Sequence, residues 1–214
     1  MITRKEFIEC HWNSYLLRER KFLELCSCVA LRPKNMVTCS DEIIDQLMLV
    51  CSHFESLVRD IYGLTGNGAN IGDFLASMQN DQAFDMNRKV WLLEGDGVPD
   101  RFPLKGCGPQ AKPLWWDAHN HVKHQRASCY EEGAFENLLD ALAALYLCNM
   151  VYVKKVGDYW LQQLGDNTLD EVRDVPNDIS QLFELEGWST RHHVAGRNRY
   201  FATDEEVRAA LSGA

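Results

Sequence analysis

The sequence has no long hydrophobic run. Its longest charge-free helical stretch, Ala141 to Val153, is too short to cross a bilayer. Nor has it a basic excess: 22 Lys and Arg stand against 31 Asp and Glu, a net charge of −9. That balance excludes a broad electrostatic footprint for duplex DNA or an anionic membrane, and leaves room only for a small local basic site. Repeats and low-complexity segments are absent, and Met1 opens a polar amphipathic stretch without the apolar core of a signal peptide. None of the eight cysteines (10, 26, 28, 39, 51, 107, 129 and 148) is spaced as CxxC, and most lie within apolar helical patterns. Free thiols in a reducing cytoplasm are the expectation. What the chain does have is a 46% apolar fraction over 214 residues, enough to bury the core of one large domain or of one domain with an appendage.

The apolar spacing predicts mainly α structure. Thr3 and Glu6 form a capping-box pattern that opens a first helix, with Phe7, Ile8, Tyr15, Phe22 and Val29 on its inner face to about Leu31. Ser40, followed by Asp41 and Glu42, caps a second helix that Gly63 to Gly68 stops. A short helix is expected over Ile71 to Met78. Asn80 to Pro113 is irregular and rich in Gly and Pro, with Val90 to Leu93 as a short strand or an extended strut against the core; a loop of this length usually covers something. Pro113 starts another helix. Phe135 to Val156 is apolar on nearly every face and belongs at the centre of a bundle, with Tyr159 to Leu161 continuing or following it. These patterns predict an up-and-down helical bundle over residues 1–164. Residues 165–214 are expected to form a small C-terminal appendage: a β-hairpin between Leu182–Glu186 and Arg199–Ala202, then a short helix from Asp204 to Leu211.

Unusual chemistry concentrates in residues 113–126, PLWWDAHNHVKHQR. At about 100° per residue, Trp115, Ala118, Val122 and Cys129 fall on a core side, while Asp117, Asn120, His121 and His124 fall on the opposite side. Arg126 sits at the edge and needs a carboxylate, for which Glu55 is a candidate; Glu55 also has i,i+4 spacing to Arg59. Histidine is the side chain suited to proton transfer near neutral pH, Asn120 could orient a substrate group, and Lys123 could neutralise phosphate. A solvated helix face that happens to contain histidines fits the same spacing.

Two other clusters are weaker. Cys107, His119, His121, His124 and Cys129 are enough ligands for zinc, but their spacing matches no familiar zinc pattern, so no metal or other cofactor is expected. Arg191, His192, His193, Arg197 and Arg199 form a local basic patch that could meet nucleic acid or phosphate, or could be a charged loop between strands.

The paired Trp115-Trp116 followed by Asn120-x-Val122-Lys123-His124-x-Arg126 resembles a signature of bacterial helical proteins that in turn resemble distant members of the HEPN superfamily. The resemblance covers roughly residues 1–160 and implies a helical bundle, often dimeric, from a group rich in RNases of toxin–antitoxin, abortive-infection and other defence systems. The superfamily's motif is an arginine followed four to six residues later by a histidine. His124 matches the histidine, whereas the arginine position holds Asn120 or His119, and Arg126 follows the histidine instead of preceding it. Two functions are therefore expected. One is a non-catalytic HEPN-like binding module for RNA or a protein partner, in which His124 and Arg126 tie the helix to Glu55 and its neighbours. The other is a metal-independent endoribonuclease with His124 as general acid or base and Asn120 and Lys123 positioning phosphate across a homodimer cleft. The acidic balance and the missing arginine favour the module.

Overall fold

The most apolar stretch of the chain becomes its longest helix, α6 (Phe135–Leu164), in which every residue from Leu138 to Val153 is buried except half-buried Asp140. A helix with no solvated side must be covered all round, and the rest of the chain does so. The computed structural model of the protein describes residues 2–66, 68–164, 179–189, 202, 203, 208 and 212, and over these it is mainly helical.

The Thr3–Glu6 capping box forms as expected, with Glu6 N–H on Thr3 Oγ1 at 3.2 Å and Thr3 N–H on Glu6 at 2.7 Å. It opens α1 (Arg4–Phe7), which runs through a π-helical segment, Ile8–Trp12, into α2 (Asn13–Cys26). The π segment follows from Asn13 N–H bonding Ile8 O, five residues back. The helix stops at Cys26, short of Leu31. Ser27 turns both its N–H and its hydroxyl onto Glu24 O, and Arg32 is extended ahead of Pro33. α3 (Asp41–Tyr62) begins where Ser40 Oγ accepts Ile43 N–H at 3.2 Å and ends at Gly63, whose φ of 62° favours glycine. α4 (Ile71–Asn80) has an Asn70–Asp73 capping box, and α5 (Leu114–Gln125) starts directly after Pro113. Helices α2, α3 and α5 all pack against α6.

The irregular segment before α5 is a packed strut. Phe84, Met86, Val90, Val98 and Leu104 are buried in the core. Arg101, 8% exposed, gives its guanidinium to Asp140 and Glu136 of α6, the pairing that a buried cation requires. Trp115 Nε1 donates to Pro103 O at 3.1 Å, fastening the strut to α5 as well.

The strand pairing differs from the expected hairpin. β1 (Val90–Leu92) pairs antiparallel with β2 (Phe183–Leu185), Val90 opposite Leu185 and Leu92 opposite Phe183. β3 (Trp188–Ser189) pairs with β4 (Ala202–Thr203). Leu182–Glu186 therefore uses the strut as its partner rather than Arg199–Ala202, because Leu182, Phe183 and Leu185 are buried in the core shared with α6. The described part of the tail contributes Leu182, Phe183, Leu185 and Trp188 to the core as one of its walls. Residues Arg199 to Phe201, the basic patch at Arg191, His192, His193 and Arg197, and the closing helix at Asp204 to Leu211 apart from Arg208 lie outside the described residues.

A buried carboxylate anchors this wall. Glu19, 3% exposed, accepts from the hydroxyls of Tyr15 and Ser180 and from Gln181 N–H at 2.8 Å. Burial, with Glu19 as a second cause, pushes the Tyr15 hydroxyl well above the usual phenol range, so it stays a donor. Glu19→Ala removes the acceptor of three donors, of which only the Tyr15 and Ser180 hydroxyls, 2.9 Å apart, can partly satisfy each other. It is expected to cost on the order of 3 kcal/mol in urea unfolding and to strip hydrogen-exchange protection from β2 first. An unchanged unfolding midpoint would contradict this role.

Candidate functional site

α5 has the two faces expected of it. Trp115 is 2% exposed, with its ring edge-on to Phe54 of α3 at 5.1 Å, and Ala118 and Val122 are buried beside it. Cys129, beyond the helix end, is half-buried. On the outer side Asp117 and Asn120 are half-buried, and His121, Lys123 and His124 are exposed. The indoles thus hold the helix rigidly while it presents polar groups to water.

Two of the outer residues have structural partners. His121 Nδ1 lies 2.7 Å from Glu132 just beyond the helix. Arg126 bonds Asp41 at 2.9 Å and reaches Asp45 at 3.4 Å, both in the first turns of α3. Glu55 was the wrong partner for Arg126. Arg126 follows the C-terminus of α5, beside the start of α3, whereas Glu55 lies about 21 Å further along α3 at 1.5 Å per residue. Glu55 instead accepts Arg59 Nε at 2.8 Å, the expected i,i+4 pair. Arg59 also donates to the backbone carbonyls of Leu64, Gly66 and Ala69, closing the turn after α3. Its charge is therefore spent locally. No hydrogen bond or ion pair ties Asn120, Lys123 or His124 to another described residue.

The most perturbed group of the stretch is His119. It is 5% exposed, its ring lies 5.2 Å from that of Trp116, and its Nδ1 is buried without a hydrogen-bond partner. Burial, then the nearby charge of Lys123, push its pKa down to about 4, against an opposing pull from the Glu55 carboxylate. At neutral pH it is an uncharged ring. His119 lies four residues after Trp115 and three before Val122, on the apolar stripe itself. That spacing is the signal in the sequence that separates His119 from the outer histidines.

The arrangement is a rigid helix presenting an amide, an ammonium and an imidazole to solvent over a neutral buried imidazole. It can donate and accept hydrogen bonds, and His124 is exposed to solvent. No group of three or more His, Cys, Asp or Glu side chains is placed to hold a metal ion among the described residues. No family model, curated protein or solved structure matches the chain.

Because the folded pKa of His119 is depressed, the unfolded state binds the extra proton at mild acidity. The stability from the neutral ring is full above pH 6.5 and is lost as pH falls from 6.5 to about 4, by roughly 3 kcal/mol in the limit. His119→Phe is expected to flatten the acid limb of the stability–pH curve over that range. An unchanged limb would show that another group sets it.

Proposed function

We propose that the chain is a HEPN-like up-and-down helical bundle acting as a binding module, with the outer face of α5 as its contact surface. Asn120, Lys123 and His124 form the centre, flanked by Asp117 and His121. Arg126, with the Glu55–Arg59 pair behind the helix, belongs to the support. The observation that carries this reading is the commitment of Arg126, the motif's only arginine, to Asp41 and Asp45. Its cation is thereby partly neutralised and turned toward α3, where it is poorly placed to stabilise a phosphodiester transition state at His124. The net charge of −9 favours a protein partner, including a second copy of the chain, over RNA. A bacterial defence or toxin–antitoxin setting and a cytoplasmic location rest on the sequence resemblance and composition alone.

The second reading is a metal-independent endoribonuclease with His124 as general acid or base and Asn120 and Lys123 on the phosphate. The exposure of His124 favours it, since a proton-transfer group must reach substrate.

Purified protein and its His124→Ala variant, incubated with total RNA in EDTA, separate the two. Neither is expected to cleave, and the variant is expected to melt with the wild type, because an exposed side chain without partners contributes within about 0.5 kcal/mol. Cleavage by the wild type that His124→Ala abolishes would establish the enzyme instead. Sedimentation of wild type and Lys123→Glu tests whether the partner is a second copy: self-association weakened by the variant identifies it as such.

A further inference from the structure

A second polar cluster lies away from α5, in the seam between the first long helix and α3. Gln46, His53 and Asp60 recur at heptad spacing along α3, and His11 and Arg18 do so through the π segment and α2. The two rows run antiparallel. His11 Nε2 lies 3.0 Å from Asp60 Oδ2 at one end, and Arg18 Nη1 donates to Gln46 Oε1 at 3.3 Å at the other. Gln46 in turn donates to Glu42 at 3.0 Å. His53 stands at the level between these pairs. His11 is carried by the π segment, a backbone form that recurs at functional sites.

The seam is short of acceptors. Arg18 Nε and His53 Nδ1 are buried without hydrogen-bond partners, although both residues are only half-buried as a whole. His11 Nε2, by contrast, has the Asp60 carboxylate 3.0 Å away. A buried polar atom without a partner is destabilising, and two of them in one seam, one on a permanent guanidinium cation, call for a group from outside. Arg18 has committed Nη1 to Gln46, which leaves its Nε edge, the fork that takes an oxyanion side-on.

We propose that this seam is a binding site for the phosphate or carboxylate group of a small ligand, held by Arg18 Nε and His53 Nδ1, with His11 oriented behind them by Asp60. The site is independent of the α5 contact surface. Burial holds both histidines below the ordinary imidazole range; Arg18 and His11 add to this at His53, while Asp60 opposes it at His11. An arriving anion favours the protonated rings, so affinity rises as pH falls and at high pH rests on Arg18 alone.

The intact protein is titrated with inorganic phosphate and, separately, acetate, above and below the ordinary histidine range, while melting temperature and the His53 ring resonances are followed. A saturable rise in melting temperature is expected, larger at the lower pH, and the more effective anion identifies the group. Arg18→Met and His53→Phe each remove an orphaned polar atom. Both are expected to melt no lower than wild type without anion and to bind it about tenfold more weakly or not at all. Three results overturn the proposal: no response to either anion, a response that survives in both variants, as general salt stabilisation would, or variants that melt far below wild type without anion. The last would make the seam a structural network.

Discussion

Sixteen consecutive positions of α6, Leu138 to Val153, offer almost no solvated side, and an isolated helix of that kind cannot exist in water. Covering it is the constraint from which the architecture follows. α2, α3 and α5 cover part of its circumference, and they are amphipathic because each has one side on α6 and one in water. The strut and the described tail close further faces with Val90, Leu104, Leu182, Phe183 and Leu185. A short β1–β2 ladder results because two extended segments laid side by side on one helix can satisfy each other's backbone groups.

Segments without helical periodicity need other fasteners, and this chain uses buried charge. Arg101 pins the strut to Glu136 and Asp140, and Glu19 pins the tail through Ser180 and Gln181. Hydrophobic contact is non-directional; a buried ion tolerates only the register that satisfies it. Both fasteners therefore select one placement for a segment that apolar packing alone would leave free to slide.

The same logic separates support from surface in α5. Its indoles, His119 and Arg126 are committed to core, ring contact or α3, whereas the side chains of Asn120, Lys123 and His124 make no hydrogen bond or ion pair among the described residues. Side chains that the fold does not use are those open to selection for contact with something else. In the α2–α3 seam the sign is reversed: the polar atoms are covered yet unsatisfied. One site is free because it is exposed, and the other is demanding because it is buried.

Local chemistry written in the sequence determined the helix starts at Thr3, Ser40 and Pro113, the glycine stop at Gly63, the all-round burial of α6 and the division of α5 into two faces. Each depends on neighbours within a turn or two, where a 3.6-residue period or a capping side chain acts directly. Tertiary structure decided which carboxylate met Arg126, which strand met Leu182–Glu186, and that the 81–113 segment is a strut. It also decided that His119 loses its charge and that His11, Arg18 and His53 share a seam. Those outcomes depend on distances between residues far apart in the chain and on desolvation by the whole core, neither of which any local window encodes.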